Sequence, residues 1–131
     1  MAEPVMSREL IYTPDAPKPP PAYSQAIKAA GLVFVSGTGP YDPVSGEVTG
    51  QTIQEQTNRC LKNVSAILAA AGTSLSRAVS ATVILRDEDD FAGMNEEWIK
   101  WFSANPPARQ AAKLPVRMPG LRVSIAVIAE A

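Results

Sequence analysis

Apolar positions along the chain repeat in two distinct ways. From Gln51 to Ala71, Ile53, Thr57, Cys60, Leu61, Val64, Ile67, Leu68 and Ala71 recur three or four residues apart, with Gln54, Glu55, Asn58, Arg59 and Lys62 opposite them. That is the period of a helix with one buried face, and Gly72 ends it as the residue just past the last turn. A second helix is predicted over Asp90 to Ala104, capped by Asp87 or Asp89, with Phe91, Met94, Trp98, Trp101 and Phe102 turned inward. Pro106 and Pro107 stop it, because proline lacks an N–H and clashes with the preceding turn.

The remaining apolar runs are short and read as strands. Glu9 to Thr13 is one. Ala26 to Ala30 and Leu32 to Ser36 form a strand pair around a tight turn at Gly31. Leu32-Val33-Phe34-Val35 is unbroken, which predicts a strand buried on both faces. Ala78 to Arg86 is rich in β-branched residues, Arg109 to Leu114 follows the double proline, and Leu121 to Ala129 closes the chain after a loop holding Pro115 and Pro119. Each helix can carry the chain between two parallel strands. The prediction is an α+β fold: a mixed six-stranded sheet with two helices on one face.

The second sheet face is the informative one. Val79, Ala81, Val83 and Leu85 are expected on one side of their strand, yet Ala78, Thr82 and Ile84 on the other are also largely apolar. The last strand likewise alternates Leu121, Val123, Ile125 and Val127 with Arg122, Ser124, Ala126 and Ile128. The chain has no third layer to cover that face, which predicts burial by oligomerisation.

The 131 residues suit a single domain spanning 1–131, with residues 1–8 as a loose leader. Pro14 to Pro21 holds five of the twelve prolines, so it is expected as an extended loop wrapping the domain. The net charge of −1 and the lack of a basic tract remove the usual electrostatic source of nucleic-acid binding. With no histidine, the Ser-His-Asp and Cys-His arrangements and His-ligated metals are excluded. The single cysteine, Cys60, lies on the apolar helix face as core, and no metal site is expected. No apolar stretch approaches ~18 residues, so no membrane span is expected and a cytoplasmic protein is the default.

Candidate chemistry begins at Asn105-Pro106-Pro107-Ala108-Arg109, which delivers a permanent cation into the apolar run Gln110-Ala111-Ala112. Arg109 there is an anion clamp or a surface or interface arginine. Ser36 and Gly37 end an apolar strand, where glycine lets a ligand approach the backbone or simply lets the chain leave the sheet. Tyr23 offers a ring and hydroxyl to a cleft, or anchors the proline loop. Asn95 follows the inward-facing Met94, where its amide props a neighbouring loop or shapes a site. Gly37-Thr38-Gly39 lacks the spacing of a phosphate loop. The Asp87-Glu88-Asp89-Asp90 run is a helix cap with favourable dipole contacts rather than a metal site.

Several segments together resemble the RidA/YjgF family of reactive-intermediate (enamine/imine) deaminases, from about Ile11 to Ala129. They are Ala22-Tyr23-Ser24-Gln25-Ala26, Val33-Phe34-Val35-Ser36-Gly37, Gln56-Thr57 with Asn63, Asp90-Phe91-Ala92 with Asn95, and Pro107-Ala108-Arg109. The resemblance implies a YjgF-like (chorismate-mutase-like) fold, a homotrimer with a barrel-like core, and clefts between subunits. It implies hydrolysis of 2-aminoacrylate and related enamines or imines to 2-keto acids and ammonia, without a cofactor. Arg109 would hold the substrate carboxylate, with Gly37, Ser36, Tyr23, Asn95 and Ser124 in the substrate site. The chain also departs from the family's pattern. The last-strand acidic positions fall on Ser124 and Ala126, a frequent cysteine on Ala111, and the glutamine after Ser-Gly on Thr38. The missing carboxylate keeps open a second reading, a non-catalytic protein binding a small carboxylate metabolite. RNA cleavage, attached to some family members by name, is not expected without a basic patch.

Overall fold

The computed structural model describes residues 7–115 and 118–131. Its elements in chain order are β1 (Arg8–Ile11), β2 (Ala26–Ala29), β3 (Leu32–Thr38), α1 (Ile53–Ala70), β4 (Ala78–Leu85), α2 (Phe91–Trp101), β5 (Ala108–Lys113) and β6 (Val123–Glu130). Short 3-10 turns at Leu75–Arg77 and Glu88–Asp90 lead into β4 and α2. Arg8, expected in the leader, opens β1; residues 1–6 of that leader, and Val116 and Arg117 of the loop before β6, lie outside the described residues.

The strands form one sheet in the order β1-β2-β3-β6-β4-β5. The last strand in sequence therefore sits near the centre, antiparallel to both β3 and β4. β3 and β4 run in the same direction on either side of β6, with α1 between them in sequence. β4 and β5 pair in parallel, with α2 as the crossover. The order is linear, so within one chain the sheet is open at β1 and β5.

Strand alternation sends Val33, Val35, Ala81, Val83, Leu85, Val123, Ile125 and Val127 into one buried layer. They pack with Cys60, Leu61, Val64, Ile67 and Leu68 of α1 and Met94 and Trp98 of α2. β3 is not buried on both faces as its apolar run suggests. Phe34 is 41% exposed, because the strand's period of two turns it onto the face without helices. Val79 also departs from its expected side. A register shift between Ala78 and Ser80 interrupts its pairing with β6 and leaves it exposed. Ser80, Thr82 and Ile84 then continue the open face.

The helix ends are chemically specified. Thr52 Oγ1 accepts from the Glu55 N–H at 3.1 Å while Glu55 Oε1 accepts from the Thr52 and Gln51 N–H groups, a reciprocal cap that starts α1 two residues later than the pattern suggested. At the other end Gly72, at φ 85°, lets Thr73 N–H reach Leu68 O and its own N–H reach Ala69 O, each at 3.0 Å. Neither Asp87 nor Asp89 caps α2. The acidic run instead forms the 3-10 turn, and Asp90 faces the Arg122 guanidinium at 3.9 Å. α2 also stops at Trp101 rather than Ala104. Phe102 leaves helical geometry with its ring 4.6 Å from that of Trp98, and Asn105 turns the chain at φ 48° before the prolines.

Candidate functional site

Where β3 ends and β6 begins, a cleft of about 800 Å³ opens. Tyr12, Pro17 and Tyr23 form one wall, Gly39 and Tyr41 a second, and Leu114, Met118 and Leu121 a third. Gly37 and Ser124 meet between them. A β-carbon on Gly37 would lie 3.2 Å from Ser124 Oγ, so the absent side chain is what keeps this part of the cleft open. Ser36 Oγ donates to Ser24 O at 2.6 Å and Thr38 Oγ1 to Ser36 O at 2.8 Å, which fixes the exit from β3. Burial, reinforced by nearby Tyr23, raises the Tyr41 pKa above 10.0, so its hydroxyl remains a proton donor, here toward Met118 Sδ at 3.7 Å. Among the described lining residues Lys18 is the only charged one.

Three buried amides hold these walls in place. Gln25 accepts from Thr13 N–H at 2.7 Å and donates to Thr13 O and Pro17 O at 3.0 Å each, tying down the proline segment. Gln56 donates to Gly50 O and Gly120 O and accepts from Arg122 N–H at 2.9 Å, anchoring the approach to β6. Asn63 donates to Gly39 O and Tyr41 O, anchoring the segment after β3. A buried amide is tolerated only when its donors and acceptors are met, and here the loop backbone meets them.

Arg109 occupies a different place. It pairs in register with Ala81, so its side chain leaves β5 on the helix-covered face. The guanidinium lies 5.0 Å from the Trp98 ring centre and 5.6 Å from that of Phe91, with Nη1 3.7 Å from Met94 Sδ. None of the ion pairs among the described residues includes it. The aromatic faces hold the cation partly out of water, which lowers its pKa, and no carboxylate is paired with it among the described residues.

The structure thus gathers Tyr23, Ser36, Gly37 and Ser124 around one cleft, and it leaves Arg109 and Asn95 outside the lining of that cleft in the single chain. Asn95 is half-buried on α2, while the amide that props the segment after β3 is Asn63 on α1. Sequence reasoning gave Gln25, Gln56 and Asn63 no role. The available signal was amides at positions 56 and 63, in register with Ile53, Cys60 and Ile67 on the apolar side of α1. No helix among the described residues is long and apolar enough to cross a membrane.

An open mixed sheet with both helices on one face, and a glycine-floored cleft at the ends of its central strands, defines a Rid-type α+β domain. The chain belongs to the RidA/YjgF family, whose model, described as Endoribonuclease L-PSP, matches residues 13–131. A RutC family protein of Pyrococcus abyssi is 47% identical over 109 residues, covering 83% of this chain and 86% of that protein. The 2-iminobutanoate/2-iminopropanoate deaminase of Rattus norvegicus is 38% identical over 122 residues, covering 93% of this chain and 89% of that one. Among solved structures, E. coli TdcF with bound serine superposes with a TM-score of 0.86 at 32% identity, covering 94% of this chain and 98% of the other.

Proposed function

We propose that the protein is a homotrimeric enamine/imine deaminase that hydrolyses small 2-imino acids to 2-keto acids and ammonia. Arg109 is the observation that carries this reading: a guanidinium held partly out of water, seated on two aromatic rings and with no carboxylate paired to it among the described residues, suits a small carboxylate ligand. The rat relative's name supports the substrate class. Arg109 and the Gly37–Ser124 cleft lie apart in one chain, so the reading requires a neighbouring subunit to bring them together. The exposed open face, with Phe34 beside half-buried Ile128 and half-buried Ile84 further along the sheet, is the surface such a trimer would bury.

In this mechanism Arg109 holds the substrate carboxylate by two parallel N–H···O bonds, the Gly37 backbone contacts the ligand, and Tyr23 lines the cleft. Water adds to the imine carbon, and the resulting carbinolamine expels ammonia to leave the keto acid. Ser124 can orient that water by hydrogen bonding but does not act as a base at neutral pH. In this reading the substrate's own carboxylate, held by Arg109, assists in place of a side-chain base. An assay that generates 2-aminoacrylate enzymatically and follows its loss tests the proposal; a rate equal to that in buffer would remove the enzyme claim.

The hydroxyl of Ser124, where the family pattern has a carboxylate, favours one alternative, a Rid protein that binds a small carboxylate without turnover. Thermal stabilisation by 2-ketobutyrate with no catalysis in the same assay would select it.

A further inference from the structure

Asn63 is completely buried, and every hydrogen-bonding position of its amide is used. Nδ2 donates to Gly39 O at 3.0 Å and Tyr41 O at 2.9 Å. Oδ1 accepts from Arg59 Nε at 3.2 Å and Nη2 at 2.8 Å. Arg59 lies one turn earlier on α1 and lines a separate shallow groove of about 440 Å³ with Asn58, Lys62 and Glu97. We propose that Arg59 and Asn63 are a positioning pair that sets the Gly39–Tyr41 wall of the cleft from the outer groove.

The argument is one of orientation. A guanidinium at Oδ1 fixes which end of the amide faces inward, since a flipped amide would set its oxygen against two carbonyl oxygens and its NH2 against a cation. The charge also polarises the amide and strengthens the two N–H donors on the far side. The segment so held has little room for another arrangement. A β-carbon on Gly39 would lie 2.6 Å from the Tyr41 ring, and Pro40 O is already engaged by Thr49 N–H at 2.8 Å. Arg59 reaches the same segment a second way: after backbone hydrogen bonds from Ser45 and Val44, its charge is among the influences lowering the Asp42 pKa. A cation on the outside of α1 thereby governs the position of Tyr41 inside the cleft.

The test is Arg59→Met, which keeps the aliphatic stem over the helix and removes the fork; Arg59→Lys is the partial rescue. Hydrogen exchange is read at Asp42 and Thr49, whose amides bond Glu47 O and Pro40 O, with Ile125 in β6 as the internal control. We expect about tenfold faster exchange at Asp42 and Thr49 in Arg59→Met, an intermediate value in Arg59→Lys, and no change at Ile125. In the 2-aminoacrylate assay, which rests on the deaminase reading, KM should rise by a similar factor with kcat within about twofold. Unchanged exchange at Asp42 and Thr49, or an equal rise at Ile125, would overturn the positioning role. A local exchange effect in a protein that shows no turnover at all would uphold the pair and sink the deaminase reading alone.

Discussion

Replacing Gln25 with methionine isolates the energetic weight of one cleft wall. Methionine fills nearly the same volume, so the change removes hydrogen bonds with little loss of packing. Gln25 is 4% exposed and Thr13 is 7% exposed. The substitution strands the Thr13 N–H, bonded at 2.7 Å, and the Thr13 carbonyl, bonded at 3.0 Å. A buried backbone group left unsatisfied costs about 1–3 kcal/mol, which sets a ceiling near 6 kcal/mol for the two. The Pro17 carbonyl is only half-buried and can turn to water, and the loop can relax in the same direction. The expected loss is therefore about 2–4 kcal/mol, a large share of the ~5–15 kcal/mol that stabilises an ordinary domain. Urea unfolding followed by Trp98 and Trp101 fluorescence, at one fixed protein concentration, measures it. A loss under about 0.5 kcal/mol with an unchanged denaturant slope would show that the proline wall does not depend on this amide.

Three further outcomes are expected. Gly37→Ala should obstruct the cleft through Ser124, which must shift a few tenths of an ångström to admit a β-carbon 3.2 Å from its Oγ; adding Ser124→Gly should restore ligand binding in a titration, and strict additivity would break the link. Arg109→Met should weaken 2-ketobutyrate binding roughly tenfold to a hundredfold by calorimetry, with Arg109→Lys recovering only part because it lacks the fork, and undiminished binding would remove the clamp. Glu97 is buried, which raises its pKa, but hydrogen bonds from Asn58, Trp101 and Lys100 outweigh that and leave it below 4.5. A folded-state pKa below the unfolded one stabilises fully above the unfolded value and is lost as pH falls through the folded one. Wild type should thus lead Glu97→Gln in urea at pH 6 and lose that lead progressively as pH falls below 4.5, whereas a pH-independent difference would refute the assignment.

Much of the fold was legible because it follows from period alone. The 3.6-residue spacing on α1 and the strand alternation around Val83 and Ile125 each point to one buried layer, and the structure has that layer. Local errors arose where a backbone feature overrides side-chain type. Val79 sits at a register shift, the acidic run turns the chain into a 3-10 segment instead of capping α2 through Asp87 or Asp89, and Phe102 ends α2 early. The site was half legible. Glycine and serine at a strand end mark a cleft floor, but nothing in a sequence says that Arg109 in register with Ala81 must leave on the helix face. The amides of Gln56 and Asn63 stood out only as polar residues on the apolar side of α1, and the partners of all three amides, Gln25 included, are backbone carbonyls and N–H groups of distant loops, which leave no pattern in residue type.

The proline segment gives the cleft a particular thermodynamic character. Pro14, Pro17, Pro19 and Pro20 all line it, and a proline presents a carbonyl but no N–H. These residues have no backbone N–H to offer the oxygens of an acid, and the carbonyls of Pro17 and Pro20 already accept from Gln25 Nε2 and the Tyr23 N–H. Prolines are also restricted before the chain folds, and Gln25 holds the segment once it has folded. Little freedom is left for a ligand to remove, so affinity at this wall should come from contacts with small ordering losses. Free and liganded backbones should superpose closely here.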